Sequence, residues 1–357
     1  MSFFISRKIA TMLVKDFSFE LPEDLIAQVP PATRGTCRLL VMDRKTGEYM
    51  DSTMDHFVDF LDPDSIVVVN NTRVRKARVF GLSENGGKVE FLFTQDNGDG
   101  TYTAMTTKSR RQKVGKKFDF CDLSGNHYCN GEIASETSDE LKVVRFDRPI
   151  DEDFFQKCGH VPLPPYIKRE DDFQDEKRYQ TVYATESGSV AAPTAGLHFT
   201  PEILDSICAK GIQIIEITLH VGMGTFLPMR TQNLEDHHMH FESYHISAEA
   251  ADAINAAKRA GKKLVATGTT SVRTLESAWD PQLGGVRSGY GKTNLFITPG
   301  FQFHEVDQLL TNFHTPESTL LVLVSAFAGR EHILAAYNHA VQERYHFFSY
   351  GDATFLK

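Results

Sequence analysis

The chain has 357 residues, 41% of them hydrophobic and 24% charged, with a formal net charge of −9. That length suits two domains of ~100–200 residues each, and the composition excludes a disordered or fibrous chain. The acidic balance argues against a protein that coats nucleic acid indiscriminately, while leaving room for a local basic patch.

The first stretch, MSFFISRKIATMLVKDF, has an apolar run broken by Arg7 and Lys8 and lacks the three-part order of a signal peptide. Met12 offers a second start, which would make residues 1–11 an extension. Next come PEDLIAQVP and a helical STMDHFVDFLDP, both assigned to the larger body. From about Val67 to Arg148 the texture is β-rich: IVVVN, ARVFGL, KVEFLFT, TYTAMTT and LKVVRF, punctuated by ENGG and DNGDG. Short strands with such turn signals predict a small all-β barrel or sandwich. The proline- and charge-rich PLPPYIKREDD reads as the return crossing.

From about Phe154 onward strands and helices alternate, which predicts a partly parallel sheet. PEILDSICAKG reads as a helix closed by Gly211, and IQIIEITLHV as a buried strand. SAEAADAINAAKRAG is a second helix stopping at Gly261, followed by the strand KKLVATG. The run Leu320 to Ala328 falls well short of the ~20 residues that span a bilayer and predicts a buried helix. The fold expected is α/β: a mixed-sheet main domain (residues 1–66 and 154–357) with an inserted small all-β barrel domain (residues 67–153).

The five cysteines (Cys37, Cys121, Cys129, Cys158 and Cys208) show no C-x-x-C spacing and are odd in number. A disulfide framework or a cysteine zinc site is not expected, and a reducing cytoplasm is the natural compartment.

Chemistry is sought where strands give way to glycine and threonine, since ligands of open α/β sheets sit outside the carboxyl ends of strands. GSVAAPTAGLHFT, Gly188 to Thr200, places small residues before the helix start Thr-Pro-Glu, as if backbone came close to a ligand there. ITLHV runs into GMGTF, and KLVAT into GTTSVRTLES, whose helix N-terminus offers free N–H groups. Neither is a GxGxxG or Walker sequence, and Gly222-Met223-Gly224 alone also fits a plain tight turn. Arg273 and Glu276, three apart on a helix, are read as a charged anchor for a carboxylate or ammonium; a solvated surface pair is the plainer alternative.

HHMH, His237 to His240, lacks a zinc spacing, so no metal is expected. His198 and His220 lie beside separate small-residue loops and are candidates for general acid–base work, against the ordinary structural role of a lone histidine. Asp352 follows a glycine in HFFSYGDATFLK and is either a turn residue or a carboxylate that grips ligand or takes a proton. Two basic runs, KSRRQKVGKK with six cations and NNTRVRKAR with four, fall in the β-rich region. Either is a solvated face or, in an otherwise acidic chain, a footprint for phosphate backbone.

These residues also carry a resemblance. DFSFELPEDLIAQVP, CRLLVMDRKTG, VVVNNTRVRKARVFG, GSVAAPTAGLHFT, TLHVGMGTFLP, MHFESYHI, GTTSVRTLES, LLTNFHTPESTLLVLVSAFAG and FFSYGD, in this order, resemble the S-adenosylmethionine:tRNA ribosyltransferase-isomerase family of the queuosine pathway, from about Asp16 to the C-terminus. The resemblance implies transfer of the ribosyl part of S-adenosylmethionine to 7-aminomethyl-7-deazaguanine at the tRNA wobble position. The ribose is rearranged to give epoxyqueuosine, and adenine and methionine are released. It also implies an α/β body with an inserted barrel, S-adenosylmethionine as co-substrate, tRNA as partner, and neither metal nor membrane nor obligate protein partner.

On this basis Ala192, Pro193, Thr194, Ala195 and Gly196 form one wall of the co-substrate site. Gly222, Gly224 and Thr225, with Gly268, Thr269 and Thr270, form the others, and Arg273 and Glu276 anchor its polar ends. His198 and His220 are the first choices for proton transfer and Asp352 the next; Lys108, Arg110, Arg111 and Lys113 would meet tRNA phosphate, with Arg73 and Arg75 nearer the junction. Three positions depart from the family pattern: Asn71 stands where Asp is usual, His346 where Arg is, and Thr354 where a longer apolar residue is. A methyltransferase, which would leave S-adenosylhomocysteine, and a non-catalytic tRNA-binding protein are the competing readings.

Overall fold

The computed structural model describes residues 12–138, 140–222 and 229–357. The body opens with β1 (Arg38–Met42), β2 (Tyr49–Thr53), a 3-10 segment at Met54–Phe60, β3 (Ser65–Asn70) and β4 (Thr72–Val74). Six strands follow: β5 (Arg78–Ser83), β6 (Lys88–Asp96), β7 (Thr101–Thr106), β8 (Lys117–Cys121), β9 (His127–Glu136) and β10 (Leu141–Phe146). After α1 (Glu152–Cys158), β11 (Gly159–His160), α2 (Asp175–Arg178) and β12 (Glu186–Ser189), the chain makes α3 (Pro201–Ala209), β13 (Gln213–Leu219), β14 (Glu242–Ile246) and α4 (Ala248–Arg259). It continues through β15 (Lys263–Thr267), α5 (Thr269–Ala278), the short ladder β16 (Trp279–Asp280) and β17 (Gly285–Val286), and β18 (Gly289–Thr293). The last elements are β19 (Gln308–Asn312), α6 (Thr319–Ala328), α7 (Arg330–Gln342) and β20 (Ala353–Leu356).

Nine strands form one mixed sheet in the order β18-β14-β13-β3-β15-β19-β20-β1-β2. Its centre is parallel: β3 pairs in parallel with both β13 and β15, and β15 with β19. Every residue of β3 is buried, as expected of a parallel strand covered on both faces. Ile66 and Val68 point into one core with α4, α5, α6 and α7; Val67 and Val69 point into the other with Phe57, Ile203 and Ile207. The helices begin where the sequence punctuates them. Thr200, Ser247 and Ser318 accept the N–H groups of Ile203, Ala250 and Leu321, satisfying donors that a helix start leaves open. Among the described residues no single helix is long and apolar enough to cross a membrane.

The six strands β5 to β10 close into an antiparallel barrel through the β5–β8 pairing. Phe91, Phe93, Phe118, Phe120 and Phe146 fill it, and Phe154 and Phe155 of α1 pack into the same core. Gly131 leaves room for this filling, because a Cβ there would lie 2.8 Å from the Phe120 ring.

The edges of the β-rich segment differ from the sequence reading at both ends. IVVVN, placed by its strand texture in the inserted region from Val67, belongs to the large sheet, and the barrel strands start only at Arg78. At the other end α1 plugs the barrel with its aromatic pair, so the segment expected to open the body at Phe154 stays with the barrel through His160, which pairs with Arg78. STMDHFVDFLDP is a strand end followed by a 3-10 segment rather than an α-helix.

Asn71 and Thr354 are accommodated. The Asn71 amide donates to Glu216 at 3.0 Å and accepts from the Thr218 hydroxyl at 2.7 Å. A carboxylate at 71 would instead face Glu216 without a proton to share. The buried Thr354 hydroxyl donates to the Thr311 carbonyl at 3.4 Å.

Candidate active site

At the carboxyl ends of the central strands lies a cavity of about 460 Å³. Gly268 turns the chain from β15 into α5 with φ +85°, which glycine adopts without the Cβ clash other residues meet. Its N–H donates to the Leu310 carbonyl at 2.7 Å, pinning the start of α5 against β19. Gly268, Thr269 and Thr270 therefore form one wall, and Ala192, Pro193, Thr194 and Ala195 a second. Asn312, the last residue of β19, and the loop to Ser318 form a third, and Pro165, Tyr166, Phe348 and Ser349 close the remaining side. The Tyr166 and Phe348 rings are stacked, with centroids 3.9 Å apart. Phe348 takes a left-handed backbone, φ +72°, which costs an aromatic residue ~1–2 kcal/mol. The Tyr166 hydroxyl is bonded to that of Ser349.

Asn312 ties three walls together. Its Oδ1 accepts from the Thr194 hydroxyl at 2.9 Å, and its Nδ2 donates to the Phe348 carbonyl at 3.1 Å and to His198 Nε2 at 2.9 Å. Tyr166, Asn312, Phe348 and Ser349 were not among the sequence candidates. All four lie inside quoted segments, PLPPYIKREDD, LLTNFHTPESTLLVLVSAFAG and FFSYGD, whose individual residues carry no distinctive local spacing.

Ala192 to Ala195 and Gly268 to Thr270 thus meet at one cavity, Gly196 and Gly222 do not line it, and the charged and titratable candidates separate. His198 lies behind the wall, not on it. It is buried, with Nδ1 3.1 Å from Cys37 Sγ and Nε2 on Asn312. Burial, with Arg34 nearby, pulls its pKa down to about 4, so at neutral pH the ring is uncharged and both nitrogens are engaged. This arrangement positions Asn312 and leaves no lone pair for a substrate proton.

Asp352 is likewise a clamp. Its oxygens accept the Arg38 N–H at 2.8 Å and the His346 N–H at 2.7 Å, and burial raises its pKa despite those bonds. His346, in turn, keeps an exposed ring 3.8 Å from Asp352. Gly196 faces away from the cavity; a Cβ there would lie 2.2 Å from the Tyr183 hydroxyl.

Arg273 and Glu276 do not pair. Arg273 forms a buried ion pair with Glu242 of β14, and burial lowers its pKa to about 10. Glu276 accepts the N–H groups of His304, Glu305 and Val306 at 2.9, 3.1 and 3.0 Å, holding the turn before β19. Neither side chain lines the cavity.

A second cleft, also about 460 Å³, opens between the body and the barrel. His220 stands in it, half-buried, with Nδ1 2.8 Å from the Thr72 hydroxyl and Gly188 flat against its ring. Burial lowers the His220 pKa. Gly222 also lines this cleft and gives its N–H to Glu242 at 2.9 Å. Gly224 and Thr225 lie outside the described residues. Val221 lines both the cavity and the cleft.

Lys108, Arg110 and Arg111 project around an open concavity whose far side is Arg230 of the body, with Glu140 between. Lys113 points to Glu136 at 3.6 Å. Arg73 is exposed and bonded to the Ala184 carbonyl at 3.2 Å. Arg75 is turned inward, 3.3 Å from Glu152 and 4.1 Å over the Phe155 ring, so it braces α1 rather than facing solvent. Among the described residues no group of three or more His, Cys, Asp or Glu is placed to hold a metal ion.

Comparison with known proteins gives a concordant picture. A sequence model of the family described as queuosine biosynthesis protein matches residues 14–356. A protein of Treponema denticola named S-adenosylmethionine:tRNA ribosyltransferase-isomerase is 48% identical over 348 residues, covering 97% of this chain and 100% of the relative. One of the same name from Clostridium kluyveri is 47% identical over the same shares. The crystal structure of S-adenosylmethionine tRNA ribosyltransferase from Thermotoga maritima is 31% identical, with a TM-score of 0.55, over 96% of this chain and 100% of that one.

Proposed function

Because the chain belongs to the queuosine biosynthesis protein family, we propose that it transfers and isomerises the ribosyl moiety of S-adenosylmethionine onto 7-aminomethyl-7-deazaguanine at the tRNA wobble position, forming epoxyqueuosine and releasing adenine and methionine. It is a transferase with S-adenosylmethionine as co-substrate and tRNA as acceptor. The sulfonium acidifies the adjoining ribosyl methylene. A base takes that proton, the ribose opens with loss of adenine, the aminomethyl nitrogen attacks, and methionine departs. A reducing, cytoplasmic setting belongs to the same proposal.

The observation that carries the spatial reading is Val221, which borders both cavities. In this reading S-adenosylmethionine occupies the cavity of the body and the acceptor base enters from the cleft beneath the barrel. A volume of about 460 Å³ falls in the usual ~300–1,000 Å³ range for small-molecule sites. The Tyr166–Phe348 pair, the Thr194 and Thr270 hydroxyls and the Asn312 amide supply apolar area and a few fixed polar contacts. Glu317 at the mouth supplies a negative charge for the cationic co-substrate.

His220 is the proton-transfer residue of this scheme. It faces the cleft, burial lowers its pKa and so favours the neutral ring, and the Thr72 hydroxyl orients it. His198 and Asp352 become positioning residues. Lys108, Arg110 and Arg111 meet tRNA phosphate across the concavity facing Arg230.

The test incubates the protein with S-adenosylmethionine and an anticodon stem-loop carrying 7-aminomethyl-7-deazaguanine. Mass spectrometry of the RNA is expected to show the epoxycyclopentanediol addition, with one adenine and one methionine per event. Unaltered RNA would end the proposal, and S-adenosylhomocysteine would mark a methyltransferase. His220→Gln should lower kcat ~10²–10⁴-fold, the usual contribution of a general base.

A further inference from the structure

The β14–β18 ribbon ends the large sheet, with β18 as its terminal strand. Residues paired directly across an antiparallel ladder share a face. Ser243 opposes Lys292 and His245 opposes Tyr290, so these four side chains lie together, with Phe241 just before β14 continuing the same alternation. Tyr290 is 88% exposed and Phe241 68% exposed. The Tyr290 ring is stacked on His245, centroids 4.1 Å apart and 21° from parallel, which leaves its outer face open. Folding alone gives no reason to hold two large aromatic rings in water beside a lysine.

The ribbon is continuous with the second cleft. Phe241, Ser243 and Lys292 line that cleft together with His220, and the Ser243 carbonyl accepts the His220 N–H at 3.0 Å. A polymer entering the cleft to reach His220 therefore passes over this face.

We propose that Phe241 and the Tyr290–His245 stack form a platform for unpaired nucleotides of the RNA substrate, flanking the base presented to His220, with Lys292 beside a phosphate. Aromatic faces take any base, and a neighbouring cation tracks the backbone, which is the common chemistry of single-stranded RNA binding. The inference rests on the reading that the acceptor is tRNA, and adds where its loop lies.

Tyr290→Ala, Phe241→Ala, the double variant and Tyr290→Phe test it, by anisotropy of a labelled anticodon stem-loop and calorimetry with S-adenosylmethionine. Both side chains are exposed, so truncation should leave the fold intact. Each alanine should weaken stem-loop binding at least about fivefold, the lower end of one lost stacking contact. Tyr290→Phe should stay near the parent, and the Kd for S-adenosylmethionine should not move. An unchanged stem-loop Kd in the double variant, while the parent still binds and modifies the RNA, overturns the platform alone. A parent that neither binds nor modifies the stem-loop overturns the platform and the tRNA reading together. Sedimentation velocity supplies the remaining outcome: a dimeric parent made monomeric by Tyr290→Ala would reassign the ribbon to contact between copies and overturn the inference.

Discussion

The placement of His198 makes a quantitative prediction that separates a structural histidine from a catalytic one. The ring is buried, both nitrogens are bonded, and its pKa falls from 6.5 to about 4. A depressed folded-state pKa means that the unfolded chain holds the extra proton between those two values. The contribution to stability is therefore complete above pH 6.5 and is lost as pH falls toward about 4. Between pH 7 and pH 5 this amounts to about 2 kcal/mol, at ~1.4 kcal/mol per pH unit once the unfolded ring titrates. His198→Gln keeps an acceptor for the Asn312 amide and removes the titration.

Urea denaturation of parent and variant at pH 7, 6 and 5 should show the variant's deficit shrinking by about 2 kcal/mol on acidification. Glu305, buried and raised to about 7, acts with the opposite sign, but it is common to both proteins and cancels in the difference. At pH 7.5 turnover of the variant should stay within about tenfold of the parent, against the ~10²–10⁴ expected for loss of a proton-transfer group. A deficit that does not change with pH, or a collapse in kcat with S-adenosylmethionine binding intact, would refute the assignment of His198 as a neutral tether.

Asn312→Ala removes bonds to Thr194, His198 and Phe348, leaves buried partners open at ~1–3 kcal/mol each, and should raise KM for S-adenosylmethionine at least about tenfold with KM for RNA little changed; steady-state kinetics and thermal denaturation read both. Glu242→Gln strands the buried Arg273 cation and should cost ~3–5 kcal/mol, with part recovered by adding Arg273→Met, as measured by urea titration. Replacing Lys108, Arg110 and Arg111 with alanine should reduce the slope of log K for the stem-loop against log salt by ~2–3, whereas an unchanged slope would make the loop a solvated face.

The elements that the sequence announces most clearly are those with local punctuation. Thr200 before Pro201, Ser247 before α4 and the glycine after β15 each satisfy a backbone requirement within a few residues, and the structure bears them out. IVVVN reads as part of the β-rich region but lies in the large sheet, because an unbroken apolar run states burial on both faces but not the identity of the neighbouring strands. Phe154 and Phe155 sit on a short helix whose partners are barrel rings many residues earlier, so no local pattern ties them to the barrel.

The charged candidates lie apart for a related reason. The three-residue spacing of Arg273 and Glu276 suggested a pair, but Glu242 reaches Arg273 from another strand, and three backbone N–H groups claim Glu276. Asn312 is chemically ordinary in sequence. Its importance arises only because β19, the Ala192–Ala195 loop and the Phe348 turn converge on one amide.

The order of the large sheet has a consequence for biosynthesis. β20 is inserted between β19, beside which it runs antiparallel, and β1, to which it runs parallel. Until β20 is present, the β1–β2 hairpin has no strand linking it to the rest of the sheet, and the Leu39–Met42 backbone waits unpaired on that side. The two parts of the sheet join only once β20 has been made. Removing residues 353–357 would then split the sheet through its interior rather than trim a margin.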